Sequence, residues 1–141
     1  MAVLGFNITR IELRKEPSAI PQGQVEVRLT PKIEDVRLGE MVTPTGKING
    51  VEIVFTYEIA YNPDIAHGVV EGKVLYLPPQ KDKVDEIIDL WENEKQIDSI
   101  AFAETINFLT VELSPVLMIL AKELRLPYHV PLPRVEVRTQ G

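Results

Sequence analysis

The stretch VEIVFTYEIAY, residues 51–61, carries the clearest strand signal in the sequence. Apolar and aromatic side chains occupy every second position, in the order Val51, Ile53, Phe55, Tyr57, Ile59 and Tyr61. The positions between them are Glu52, Val54, Thr56, Glu58 and Ala60. Because successive side chains of a strand point to opposite faces of a sheet, this alternation predicts a β-strand with one face buried in the core.

Three further segments alternate in the same way: GFNITRIELR at 5–14, QVEVRLT at 24–30 and HGVVEGKVLYL at 67–77. In the first of them the alternation slips by one residue between Ile8 and Ile11. A slip in a period of two exchanges the faces of the strand, so we expect a β-bulge near Thr9. Four consecutive strands, with a short connection between the last two, predict an antiparallel sheet.

After Pro79 the apolar spacing changes from the period of a strand to that of a helix. In DKVDEIIDLWENEK, residues 82–95, apolar side chains lie at i, i+3, i+4 and i+7, namely Val84, Ile87, Ile88 and Trp91. A second helix is predicted to begin after Asp98 and to share one face among Phe102, Ile106, Leu109 and Leu113. The Ser114-Pro115 pair is typical of a helix start, so a restart and a kink are both open at this point.

Strands followed by helices predict an α+β fold, with a four-stranded antiparallel sheet and helices packed on one of its faces. The chain has 141 residues, a length that suits one domain able to bury a sizeable core. No linker, internal repeat or low-complexity tract divides the sequence. We therefore expect residues 1–141 to form a single domain.

Composition removes several classes of function. The chain has no cysteine, which excludes disulfides, thiolate chemistry and cysteine-based zinc sites. Its net charge is −6 with acids and bases interleaved, which disfavours nucleic acid as a partner. Glu52, Glu58 and Glu71 on strand faces are expected to form either an acidic surface that attracts a basic partner or an ordinary solvated sheet face. No apolar run approaches the ~20 residues of a membrane span and the N-terminus lacks a signal-peptide pattern, so we expect a cytoplasmic protein.

The sequence contains no pattern typical of catalysis. His67 and His129 are the only histidines, and neither lies beside a nucleophile or a second metal ligand at helical spacing. The glycines occur singly and form no phosphate-binding loop. We therefore predict a protein that is not an enzyme and that uses neither a metal nor a cofactor.

The stretch LSPVLMILAKEL, residues 113–124, is apolar on nearly every side of the helix that it predicts. One face of a sheet covers only one side of a helix, so the remaining side needs another cover. In a chain this short, a second copy is the favoured cover, and burial within the domain is the alternative. We expect a homo-oligomer, a dimer or a tetramer, with Leu117, Leu120 and Leu124 in the interface.

This apolar helix is followed by a proline-rich segment, and the two together are typical of a known family. Pro127 is expected to end the helix, and the prolines at 131 and 133 are expected to hold the following residues extended. In that family, a proline near an apolar stretch of a helix precedes a proline-rich extended segment. Residues 113–124 match the helix, and Pro127 to Pro133 followed by Val135 match the segment.

Three segments nearer the N-terminus have counterparts in the same family. KEPSAIP, residues 15–21, matches an acidic, proline-containing crossover loop between the first two strands. FNITRIEL matches the opening strand, and EGKVLYL matches the last strand. In this order of elements the sequence resembles SecB, the export chaperone, over residues 6–137.

The resemblance to SecB implies a function as well as a fold. It implies a holdase that binds unfolded or partly folded polypeptides in apolar grooves without catalysis, and it adds the translocation machinery as a further partner. The residues expected to contact polypeptide are Ile20 in the crossover loop and Phe102, Phe108 and Leu109 on the helix. Two alternatives remain: a small-ligand binder with a pocket lined by Tyr57, Tyr61 and Tyr76, and a structural subunit of an assembly.

Overall fold

The computed structural model describes residues 3–17 and 25–126 of the chain. Four strands come first: β1 (Val3–Lys15), β2 (Glu26–Thr43), β3 (Gly46–Asn62) and β4 (Ala66–Tyr76). Two helices follow: α1 (Lys83–Glu94) and α2 (Ser99–Glu123). The strands pair antiparallel, so the predicted α+β class with helices after a four-stranded antiparallel sheet is confirmed.

The four strands lie in the order β1-β4-β3-β2. β3 and β4 are therefore central, while β1 and β2 form the two edges of the sheet. β2 and β3 form a long hairpin whose turn is held by Thr43, whose hydroxyl donates to the Gly46 carbonyl at 2.7 Å. Gly46 has a φ of 134°, a conformation that side-chain-bearing residues rarely adopt. The connection from β1 to β2 joins opposite edges of the sheet.

The central strand β3 supplies the middle of the core. All six residues of its predicted apolar face are buried: Val51, Ile53, Phe55, Tyr57, Ile59 and Tyr61. On β4, Val70, Val74 and Tyr76 are buried on the same side of the sheet. The helices add Val84 and Ile87 from α1 and a row of residues from α2. The alternation quoted at the outset therefore marks the face that the helices cover.

The bulge expected near Thr9 is confirmed, because the pairing of β1 with β4 shifts register between Ile8 and Arg10. Before the shift Ile8 lies opposite Gly72, and after it Ile11 lies opposite Val70, on the same face of β4. The bulge is thus what allows apolar residues of both parities in β1 to face the helices. β1 also passes very close to β4 here, since a Cβ at Gly72 would clash with the Asn7 carbonyl oxygen.

α2 is one continuous helix of 25 residues, about 37 Å long at 1.5 Å per residue. It begins at Asp98, whose carboxylate accepts a hydrogen bond from the Ala101 N–H at 3.0 Å. Pro115 lies inside the helix and does not restart it. The Ser114 hydroxyl donates to the Thr110 carbonyl, a side-chain contact of the kind that accompanies helix bending. Of the two alternatives at Ser114-Pro115, a restart and a kink, the restart is therefore excluded.

The buried residues of α2 recur at every fourth position: Ala101, Thr105, Leu109, Leu113, Leu117 and Ala121. The predicted face is only half right, since Leu109 and Leu113 are buried while Phe102 and Ile106 are half-buried. A helix has 3.6 residues per turn, so steps of four rotate the buried row by about 40° each time. The row that touches the core therefore winds around α2 from its first turn to its last.

α1 follows its predicted pattern more closely. Val84 and Ile87 are buried, and Ile88 and Trp91 are half-buried against the core. The Lys95 Nζ lies 5.6 Å from the centroid of the Trp91 ring, within the range of a cation–π contact. Lys95 also adopts a left-handed conformation, φ 54°, and ends the helix.

By length and composition alone, α2 is also apolar enough to cross a membrane. It supplies six residues to the core, and core helices of soluble proteins meet the same criteria, so this is weak support for a span. The more informative observation is that only 22% of its most apolar stretch is buried. Much of an apolar helix is thus left without a cover.

Candidate polypeptide-binding surface

The second half of α2 lies along the edge strand β1. Near the start of the strand, the rings of Phe6 and Phe108 meet with centroids 5.5 Å apart at an interplanar angle of 80°. At the end of the strand, the Lys15 ammonium donates a hydrogen bond to the Leu124 carbonyl at 2.9 Å. These two contacts align the helix and the strand in the same direction. Exposed side chains occur along both elements in this region.

Six of the eight large apolar residues that are exposed in the described chain lie on these two elements. Ile100 lies in the first turn of α2, and the other five lie along the aligned parts of β1 and α2. Val111 is 72% exposed and Ile119 is 60% exposed, although both lie in the middle of an apolar helix. We call the five residues along the aligned parts of the two elements, together with Phe108, the β1–α2 surface: Phe6, Ile11, Phe108, Val111, Val116 and Ile119. Because burying one such side chain stabilises a contact by roughly 1.5–3 kcal/mol, a surface of six favours association with another apolar chain.

The predicted polypeptide-contacting residues are in three different situations. Phe102 and Phe108 are half-buried, and Phe108 belongs to the β1–α2 surface through its contact with Phe6. Leu109 is 0% exposed and is part of the core, so its contact with polypeptide stays a prediction. Phe108 and Leu109 point about 100° apart on the helix, and helical spacing alone does not show which of the two faces the core. Ile20 lies outside the described residues.

The predicted interface leucines face the chain's own core. Leu117 is 3% exposed, and Leu120 and Leu124 are half-buried against the core cluster. Residues 116–121 are all apolar, but the exposed ones among them are Val116 and Ile119. Val111 was not predicted to lie on a surface because it precedes the apolar stretch at residues 113–124.

The opposite face of the sheet is covered by paired charges rather than by acids alone. Glu52 lies within ion-pair distance of Arg37 and, at 3.2 Å, of Lys73. Glu71 pairs with Arg10 at 3.4 Å. The hydrogen bond from Arg37 holds the pKa of the Glu52 carboxyl below its ordinary value. Two of the three glutamates expected to make this face acidic are therefore paired with basic residues on neighbouring strands.

The tyrosines of the alternative ligand pocket do not share a cavity among the described residues. Tyr61 lines a cavity of about 500 Å³ with Glu26 and Arg28, and Tyr76 lines a separate one of about 170 Å³. Burial raises the pKa of Tyr57 and of Tyr61 above the ordinary value. In the described part of the chain, Tyr61 and Tyr76 therefore line two separate cavities rather than one pocket shared with Tyr57.

Within residues 3–17 and 25–126, no group of three histidine, aspartate or glutamate side chains is placed to hold a metal ion. The proline-rich segment after Leu126 falls outside the described residues, as do the predictions made for it.

The strand order, the two helices after the sheet and the helix lying along its edge define a SecB-like fold. No protein-family model matches the sequence, and no curated protein sequence is significantly similar to it. Among solved structures, the chain is similar to the SecB-like chaperone Rv1957 of Mycobacterium tuberculosis, determined in complex with a ChAD peptide from the HigA1 antitoxin. The identity is 12% and the TM-score 0.56, over 95% of this chain and 88% of that one. At this identity the similarity establishes the fold.

Proposed function

We propose that this protein is a non-catalytic, polypeptide-binding chaperone of the SecB type. The observation that carries the proposal is an open apolar surface on a SecB-like fold, the β1–α2 surface. The similarity to a SecB-like chaperone solved with a bound peptide supports polypeptide binding at the level of the fold. Delivery of bound clients to the translocation machinery is a further expectation from the SecB resemblance.

The chemistry of the β1–α2 surface suits unfolded chains. Val111 and the edge of the Phe108 ring offer apolar area to client side chains. Within the described residues β1 pairs only with β4, so its outer edge offers backbone donors and acceptors to an extended client. Arg10 and Glu12, which form an ion pair at 2.8 Å, keep the opposite face of the same strand hydrated.

We also propose that the protein self-associates through the outward side of α2. Val116 and Ile119 are exposed on the half of the helix that follows Pro115. A second copy that covers them would form a dimer, and repetition of such contacts would form a tetramer. Clients would then use the end of the surface near Phe6 and Phe108, while subunit contacts would use the end near Ile119.

The direct test is suppression of aggregation. The purified protein is mixed with a denatured, aggregation-prone client, and turbidity is followed over time. We expect suppression by the wild type and a clear loss with Phe108→Ala, because the ring supplies apolar area to the client. The matched control is Val42→Ala, which trims a 77% exposed apolar side chain on β2 instead. A wild type that leaves turbidity unchanged at several-fold excess would contradict the proposal.

A further inference from the structure

The end of α2 is fixed by its own backbone. Arg125 adopts a left-handed conformation, φ 56°, and its N–H donates to the Lys122 carbonyl at 3.1 Å. The Leu126 N–H donates to the Ala121 carbonyl at 2.8 Å, and the Leu126 side chain is buried in the core. The two hydrogen bonds form a Schellman motif, which closes the helix. Residues 127–141 lie outside the described part of the chain, but the point from which they continue is therefore set.

This point lies beside one end of the edge strand β1. The Lys15 ammonium at that end donates to the Leu124 carbonyl at 2.9 Å. Residues 127–133 would span about 23 Å if extended at roughly 3.3 Å per residue. The same length of β1 runs from Lys15 back to Ile8. A segment that continues from Leu126 is therefore long enough to cover the second half of β1, antiparallel to it.

The outer edge of β1 presents backbone groups of residues that face the helices. Among the described residues, β1 pairs only with β4. The Glu12 carbonyl oxygen points to β4, because a Cβ added at Gly68 of that strand would lie 2.6 Å from it. Successive residues of a strand direct their N–H and C=O groups to opposite edges, so those of Ile11 and Leu13 point outwards. The side chains of Ile11 and Leu13 lie on the helix side of the sheet.

The prolines after Leu126 remove donors from only one edge of an extended segment. All three occupy odd positions and lack a backbone N–H: Pro127, Pro131 and Pro133. The even positions among them keep the N–H and carry apolar or aromatic side chains: Tyr128, Val130 and Leu132. Successive N–H groups of an extended chain point to opposite edges, so the even positions supply a complete edge for pairing. Such a segment fits the edge of a sheet, with its prolines turned to solvent.

A segment of the same chain has an advantage over a separate polypeptide at this edge. A short tether holds it at an effective concentration of the order of millimolar. Its prolines limit the conformational freedom that docking removes, which lowers the entropic cost. A second copy or a client lacks this advantage, so the tethered segment is the favoured occupant.

We propose that residues 127–133 dock on the outer edge of β1 as an antiparallel fifth strand, and that clients must displace them. Residues hydrogen-bonded across an antiparallel pair lie directly opposite each other and share a face of the sheet. The three residues at even positions therefore lie on the helix side, beside Ile11 and Leu13, and bury part of the β1–α2 surface. Displacement by clients rests on the proposed chaperone function, whereas the docking does not.

Because the chain has no cysteine, an engineered pair reports the docking without background. Val130→Cys and Ile11→Cys are combined in the full-length protein, and disulfide formation under mild oxidation is followed by mass spectrometry. We expect a cross-link within one chain. The matched control combines Val130→Cys with Val42→Cys, an exposed apolar position on the other edge strand, β2. It is expected to cross-link at least ~10-fold more slowly, since a disulfide needs Cα atoms within about 7 Å.

The proposed pairing predicts opposite effects for two proline substitutions. Leu132→Pro removes an N–H that points to β1, and His129→Pro removes one that points to solvent. We expect Leu132→Pro to slow the cross-link between positions 130 and 11 by about fivefold, the effect of one lost hydrogen bond. His129→Pro, which adds the same ring, is expected to leave the rate unchanged.

Displacement by clients is measured with a fluorescein-labelled peptide that alternates leucine and serine, followed by fluorescence anisotropy. We expect Leu132→Pro to bind the peptide about threefold more tightly than the wild type, because a larger fraction of molecules has an open β1 edge. His129→Pro is expected to bind it as the wild type does.

Each alternative has its own result. Cross-linking no faster than in the control would overturn the docking, and cross-linked dimers in place of cross-linked monomers would assign the β1 edge to a second copy instead. Equal peptide affinity of the two proline variants would overturn displacement by clients. A protein that cross-links as expected but neither binds the peptide nor suppresses turbidity would contradict the chaperone function and leave the docking supported.

Discussion

Phe6 of the edge strand and Phe108 of the long helix meet edge to face, with their ring centroids 5.5 Å apart. The contact fixes the middle of α2 against β1, and together with the Lys15–Leu124 hydrogen bond it aligns the two elements. Phe6 is exposed and Phe108 half-buried, so the same pair contributes to the packing of the helix and to the border of the β1–α2 surface.

The coupling between these two rings is measurable in a double-mutant cycle. We expect Phe6→Leu and Phe108→Leu each to lower the free energy of unfolding, with a coupling of about 1 kcal/mol, typical of an edge-to-face aromatic pair. Chemical denaturation of the four proteins gives the value. Strictly additive single effects would show that the rings do not stabilise each other.

Self-association through α2 predicts opposite outcomes for two neighbouring substitutions. Ile119→Lys places a charge on an exposed position, so we expect the fold to persist and the mass in solution to fall to that of the monomer. Leu117→Lys buries a charge in the core and is expected to cost several kcal/mol of stability. Light scattering and circular dichroism separate the two effects. A wild type that is monomeric at every concentration would refute the interface.

Among residues 3–17 and 25–126, the buried hydroxyl of Thr105 in α2 has no hydrogen-bond partner. Replacing it with the isosteric methyl in Thr105→Val is expected to raise the free energy of unfolding by about 1 kcal/mol, because an unsatisfied buried polar group is removed. Thr110→Val is the control, since the Thr110 hydroxyl donates to the Ile106 carbonyl at 2.8 Å on the exposed side. A loss of stability in Thr105→Val larger than in the control would contradict this account.

Stability at alkaline pH is expected to depend on Tyr76. Burial, followed by the negative charge of Glu104 and Asp98, raises the pKa of Tyr76 to about 12. Since the folded state retains a proton that the unfolded state loses near pH 10, the contribution is complete below about pH 10 and is lost as the pH rises towards 12. The difference corresponds to roughly 3 kcal/mol.

Absorbance titration of tyrosinate in the wild type and in Tyr76→Phe measures this directly. Burial also raises the pKa of Tyr57 and Tyr61, so the late ionisation step of the wild type should include Tyr76 and should be smaller by one tyrosine in the variant. Early ionisation of Tyr76 in the folded protein, near its ordinary pKa, would count against a buried phenol beside Glu104.

The sheet was predictable because its signals are local. The alternation in β3 marks its buried face, and the slip between Ile8 and Ile11 marks the bulge, since both depend only on neighbouring residues. The neutralisation of Glu52 was not predictable in this way. Its partner Lys73 lies on β4, and only the register between β3 and β4 brings the two together.

The site was predictable only in part. Phe108 and Leu109 were both predicted to contact polypeptide. Phe108 lies on the β1–α2 surface, whereas Leu109 belongs to the core. Whether Phe108 or Leu109 is buried depends on the buried row of α2. The row has a four-residue spacing, whereas the prediction used the 3.6-residue period of a helix. Val111 was missed because it precedes the apolar stretch at residues 113–124, and tertiary packing keeps the helix continuous through Pro115.

The winding of the buried row around α2 also determines which changes in length the helix tolerates. One residue inserted near Thr105 would rotate every later side chain by about 100° and turn Leu113 and Leu117 away from the sheet. Four residues inserted at the same place would rotate them by only about 40°, the angle between successive members of the row. Homologous chains are therefore expected to differ in the length of this helix by multiples near four, and a difference of one or two residues should coincide with a bulge or a second proline.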